Sequence, residues 1–188
     1  MNSTGETAAI LRLLDEHAPR AVDPSEVETV VFITEFVRTH PDSLHRSQTL
    51  GHLTGSAWIV DAARTRTLLT HHRKLDKWLQ PGGHADGDPD LRAVAMREAV
   101  EETGVSGLRL VSERIYDVDR HWIPARGDLA GHWHLDIRFM IEADPAQPFV
   151  VTDESHDLAW VALGEVTRLN PEESMARLVR KTKGFEAG

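Results

Sequence analysis

The sequence predicts an α/β layered domain. Three observations carry that expectation: period-two hydrophobic alternation recurs after residue 50, one helical-period segment sits among those stretches, and helical patterns occupy both ends of the chain. With 188 residues and 40% hydrophobic content, one domain of ordinary size can bury a core without staples. The chain has no cysteine, which excludes disulfide scaffolds, thiolate metal sites and cysteine nucleophiles. A formal charge of -9, spread along the chain, argues against a grip on duplex nucleic acid or an anionic membrane. The early residues carry Glu6 and Asp15 where a secretory signal would have a basic start and an apolar run, so a cytoplasmic location is expected. No window has the apolar length of a bilayer-spanning helix.

Near the start, Ile10, Leu11, Leu13 and Leu14 cluster at helical spacing. Asp23-Pro24-Ser25-Glu26 then signals a second helix, with Asp23 as cap, Pro24 at the first helical position and Glu26 reaching back. Leu53, Gly55, Ala57 and Ile59 alternate with Thr54, Ser56 and Trp58, a strand whose hairpin partner is Thr67 to Thr70. Further strands are expected at Leu108 to Tyr116, His132 to Ile141 and Leu158 to Val161. Between His121 and Gly131 the Pro- and Gly-containing stretch reads as a connection able to act as a mobile lid. Asn170-Pro171-Glu172-Glu173 announces the last helix, with Asn170 as cap. Trp58, Trp78 and Trp160 sit in strand-like surroundings and are expected in the core.

The informative stretch runs from Gly82-Gly83-His84 to Glu101-Glu102-Thr103-Gly104. Asp88 is placed to cap a helix, Pro89 to start it and Gly104 to end it. At about 100° per residue, Glu98, Glu101 and Glu102 share one face while Ala93, Met96 and Val100 gather opposite, where the core is expected. Three acids at that spacing repel one another. Arg97 can pair with Glu101, but one arginine cannot neutralise three carboxylates. A divalent cation can, since hard ions take carboxylate oxygens and keep positions for water and phosphate. The Gly82-Gly83 turn lets backbone approach the same ion without a Cβ in the way. A solvated acidic helix face is the plainer alternative.

Gly83, Arg97, Glu98, Ala99 in an aliphatic position, Glu101, Glu102, Gly104 and Val105 together resemble the Nudix box. One position departs from it: the pattern's first glutamate falls on Pro89, flanked by Asp88 and Asp90, either of which could supply the missing carboxylate. The resemblance implies a Nudix-type α/β/α sandwich with a mixed central sheet over residues 48–188, with a helical extension, residues 1–47, packed on it. It also implies hydrolysis of a diphosphate bond in a nucleoside diphosphate-linked small molecule, with Mg²⁺ or substituting Mn²⁺ as cofactor and metal-activated water as nucleophile. Glu98, Glu101 and Glu102 would hold the metal, together with the Gly82 carbonyl, and Arg97 would orient them. Glu154, in Thr152-Asp153-Glu154-Ser155-His156, is the loop carboxylate that the family often adds; it and Glu98 compete for the role of general base. The departure at Pro89 leaves a non-catalytic nucleotide-binding domain as the alternative function. A homodimer would fit the family's habit, and the missing cysteine removes its isomerase branch.

Substrate contacts are expected from Gly83 and from His84, which follows the glycine pair. The strand alternation from His132 to Phe139 sends Trp133, Leu135, Ile137 and Phe139 one way and His132, His134, Asp136 and Arg138 the other. If that second face opens on the cleft, His134 and Arg138 can meet phosphate or base. A solvent-facing strand side is the alternative. Neither the residues nor the resemblance selects one nucleotide.

Overall fold

Strand β1, Gly51–Val60, is buried at all ten positions, although its sequence alternation promises only one buried face. The reason is its neighbours. The computed structural model, which describes residues 3–127 and 129–185, pairs β1 in parallel along its whole length with β7, His132–Glu142. On its other side lie β2, Arg66–His72, across Ile59 and Val60, and β4, Gly82–His84, across Thr54 to Ser56. Strand β2 also pairs with β3, Lys77–Leu79, and β8, Ser155–Ala162. Strand β7 takes β5, Arg109–Leu110, and β6, Asp117–Ile123. Among the described residues these eight strands form one mixed sheet.

Helices cover both faces. On one face α1, Ser3–His17, α2, Pro24–Thr39, and α3, Leu91–Thr103, share a core with the sheet. Ile10, Leu14, Ile33, Phe36, Leu91 and Val94 pack there on Leu53, Leu135, Ile137 and Phe139. On the other face Met175 and Leu178 of α5, Glu173–Thr182, and Val166 of the short α4, Val166–Leu169, meet Trp58, Leu69 and Met140. The expected α/β layering with N-terminal helices is what the chain builds. Gly55 marks the closest approach of sheet and helix, since a Cβ there would stand 2.9 Å from the Leu91 carbonyl oxygen.

Several local expectations are corrected. Helix α3 begins at Leu91, not Pro89, because Asp90 is its cap and accepts from the Arg92 and Ala93 amides. Asp88 instead accepts the Asp90 amide at 2.9 Å. The buried face of α3 is Leu91, Val94, Ala95, Ala99 and Glu102. Of the residues expected in the core, Met96 packs in part, whereas Ala93 and Val100 are exposed. Of the three glutamates, Glu102 turns inward, Glu98 does so in part and Glu101 faces solvent. Gly104 ends the helix in the left-handed region, φ 65°, as the sequence leads one to expect. Replacing Asp90 with Ala should lower stability by about 1 kcal/mol in urea unfolding, and Asp88→Ala by less. Equal effects would contradict this cap.

Glu26 does not reach back to cap α2. It is buried and accepts from His17 Nε2 at 2.9 Å and from Lys181, while Asp23 alone caps, through the Ser25 amide. Asn170 stands ahead of α5 rather than capping it, accepting the Glu172 amide at 3.1 Å and donating to the Trp78 carbonyl at 3.0 Å. Only Arg109 and Leu110 of the strand expected at residues 108–116 pair in the sheet. His121 to Ile123 belong to β6, so the connection expected to act as a lid is shorter by its first three residues. Among the described residues no helix is long and apolar enough to cross a membrane.

Candidate active site

Gly82 and Gly83, expected as a turn, are strand β4 paired with β1, and that strand and the C-terminal half of α3 build the site together. A Cβ on Gly83 would fall inside the Glu98 carboxylate, so only glycine lets that acid lie against the strand. Gly82 donates its amide to Glu102 Oε1 at 2.8 Å. Arg97 Nη2 donates to Glu98 Oε1 at 3.1 Å and to the His84 carbonyl at 3.2 Å, which ties the helix to the strand. The expected pairing of Arg97 with Glu101 does not form; its other acid is Asp88, at 3.9 Å. Asp90 is committed to the helix cap and to Arg92.

The three box glutamates differ in depth. Glu102 is 6% exposed, Glu98 is half-buried and Glu101 is exposed. Burial, with the charges of Glu98 and Glu154 adding to it, pushes the Glu102 carboxyl up to about 7 despite the Gly82 hydrogen bond. Burial raises Glu98 too, against the Arg97 hydrogen bond, and Glu101 and Glu154 raise it further. Glu154, in the loop before β8, is therefore near enough for both acids to feel its charge. Arg46 forms a bidentate pair with Asp86, 2.6 Å on each arm, and its guanidinium feels Glu98 and Glu154.

The other face of β4 carries different chemistry. Register places His84 beside Thr54, His52 beside His134, and Asp136 beside Thr54. Arg138 is 3% exposed and committed inside the protein, to Asp136 at 2.8 Å, Asp119 at 3.0 Å and Asp117 at 3.2 Å. Asp117 also receives Arg177 of α5 and Lys181. Burial alone would raise the Asp117 carboxyl, but the Arg177 hydrogen bond and the Lys181 and Arg138 charges hold it far below the usual carboxylate range. His84 and His134 lie in a group of imidazoles with His52, His121 and His132. Burial pushes His84 down to about 4 and lowers His134 and His52 as well. His52 is not among the residues expected from the sequence, although its phase with Thr54 and Ser56 on β1 puts it on this face.

The family model for the NUDIX domain matches residues 52–181, well over half the chain. The chain belongs to the Nudix family. An RNA pyrophosphohydrolase of Sphingopyxis alaskensis is 33% identical over 105 residues, a match covering 50% of this Nudix chain and 66% of that relative, just under two thirds of its length. Among solved structures, a Caenorhabditis elegans Ap4A hydrolase aligns at TM-score 0.57 and 20% identity, covering 71% of this chain and 96% of that one. A NUDIX-family hydrolase from Clostridium perfringens aligns at TM-score 0.53 and 23% identity, covering 72% and 98%. These two likenesses establish the Nudix fold.

Proposed function

We propose that this Nudix domain is a divalent-metal-dependent pyrophosphohydrolase, cleaving a diphosphate bond in a nucleoside diphosphate-linked small molecule. One observation carries the reading: Glu102 and Glu98 are packed against the glycine pair of β4 with too little positive charge for their burial. Among the described residues, Glu102 receives one backbone amide and no cationic partner. Such oxygen donors fit Mg²⁺ or Mn²⁺, with Glu98, Glu101, Glu102, the Gly82 carbonyl and Glu154 as the candidate ligands. When bound, the ion supplies charge neutralisation for the pyrophosphate oxygens and acidifies water.

The chain's own residues do the rest. Arg97 holds Glu98 in place through a hydrogen bond shared with the strand carbonyl, a positioning role without substrate contact. Glu98, half-buried and with its proton affinity raised, is suited to take a proton from the attacking water at the Oε2 that Arg97 leaves free. Gly83, lacking a Cβ, leaves room for the Glu98 carboxylate to lie against the strand. A relative described as an RNA pyrophosphohydrolase supports the phosphoric-anhydride reaction, and the small acidic domain favours a small nucleotide over a long strand. The experiment is a phosphate-release screen with Mg²⁺ over nucleoside triphosphates, nucleotide sugars, dinucleoside polyphosphates and 5′-triphosphorylated RNA. Turnover of at least one small nucleotide is expected; nucleotide binding without any turnover would instead support a sensing domain.

A further inference from the structure

The imidazole group on the far side of β4 from Glu98 contains an arrangement that hydrogen bonding within the protein does not satisfy. His52 is 4% exposed, and its Nδ1 lies 3.4 Å from the Gln48 carbonyl oxygen. The ring therefore donates from Nδ1 and carries its lone pair on Nε2, which is buried and has no hydrogen-bond partner among the described residues. His132 repeats the pattern, with Nδ1 2.9 Å from the Ala130 carbonyl oxygen. A carbonyl on one ring nitrogen fixes the tautomer and presents the other nitrogen as a metal ligand. One ring nitrogen from each of His52, His132 and His134 lies within 4.8 Å of the other two. Nε2 of His84 is 3.3 Å from Nε2 of His134. A tetrahedron about an ion bound to nitrogen at about 2.0–2.1 Å has edges of about 3.3–3.4 Å.

We infer that His52, His84, His132 and His134 bind one transition-metal ion of the Zn²⁺ class, at a site separate from the carboxylates. Imidazole nitrogen suits Zn²⁺ and its neighbours in the first transition row, whereas Mg²⁺ takes oxygen, so the two sites select different ions. A hydrogen bond between His84 and His134 would account for that pair alone and leave the His52 lone pair buried and unused. The ligands stand on three strands in register; His52, His132 and His134 already converge, and His84, whose Nε2 lies beside that of His134, is the fourth ligand that the ion would draw in. An ion held there clamps β4 to β1 and β7 and fixes the Gly82-Gly83 pair from behind. Binding at these imidazoles does not depend on the hydrolase chemistry.

The test is a binding measurement on the full chain, stripped with a chelator and titrated with Zn²⁺ against a chromogenic competitor. One equivalent is expected to bind at sub-micromolar affinity, undisturbed by millimolar Mg²⁺, and Co²⁺ in its place should show the visible absorption of a tetrahedral site. His52→Asn and His132→Asn should each weaken Zn²⁺ binding by at least about tenfold. His132 is only half-buried, so its variant keeps the test open should the buried His52 substitution unfold the chain. Wild-type protein that binds no stoichiometric Zn²⁺ overturns the inference. So does a folded His132→Asn variant with unchanged affinity, which would place the ion on other histidines. Because the readout is metal binding, it gives the same answer for this site even if the chain is inactive in every phosphate-release assay.

Discussion

Glu102→Gln is expected to lower turnover by at least about 10²–10³-fold, the scale of losing one preorganised electrostatic contact to a transition state, while leaving the fold intact. The glutamine still accepts the Gly82 amide, and it removes a carboxylate whose burial is costly. Stability measured without metal should therefore hold or rise, and its pH dependence should change. In wild-type protein the folded state keeps the Glu102 proton up to about pH 7, whereas the unfolded chain releases it near the ordinary value of 4.5. Between those pH values the folded state binds more protons, so this group makes stability fall as pH rises from 4.5 toward 7. The Gln variant should lose that slope in thermal melts at a series of pH values. Added Mg²⁺ should act in the opposite sense on wild type, raising Tm more at alkaline than at acidic pH, because it binds the ionised carboxylate. Full turnover in Glu102→Gln would sink the catalytic assignment.

Arg138→Ala is expected to cost about 3–5 kcal/mol, because it strands buried carboxylates rather than trimming a surface contact. Asp136 loses its guanidinium, Asp119 keeps only the longer contact from Arg177 at 3.3 Å, and Asp117 keeps Arg177 and Lys181. Against a typical total of about 5–15 kcal/mol, the urea midpoint should move far enough for partial unfolding at physiological temperature. If Arg138 met substrate as the strand pattern allows, the variant would instead keep its midpoint and raise KM. The two outcomes separate cleanly in one denaturation curve and one kinetic series.

The same network explains what the sequence conceals. Strand β6 alternates, and its apolar side is buried at Val118, but its other side buries Asp117 fully and Asp119 in part, which polarity alone would send to solvent. The groups that make those aspartates tolerable, Arg138 and Arg177, lie 21 and 60 residues further on, so no local window shows the pairing. The α3 cap is ambiguous for a different reason. Asp88 with Pro89 satisfies every local rule for a helix start, and Asp90 wins only because Asp88 commits its side chain to the Asp90 amide. The helical period correctly groups the glutamates, yet polarity alone assigns that face to solvent. In the fold, Gly82 and Gly83 make room for it against the sheet. The elements that are legible, Gly104 as terminator, the β1 and β2 hairpin and the face shared by His132 and His134, rest on neighbours close in sequence.

The parallel pairing of β1 with β7 also bears on how the protein is made. The bond from Thr54 to Asp136 joins residues 82 apart, and nothing between them offers β1 a full-length partner. At about 5–20 residues per second, translation leaves that strand waiting on the order of 4–16 s before β7 has even been polymerised. During that interval a ten-residue segment destined for complete burial has only the short pairings with β2 and β4 and the α3 helix to cover it. Slowing elongation between residues 60 and 132 should lengthen that exposure in proportion.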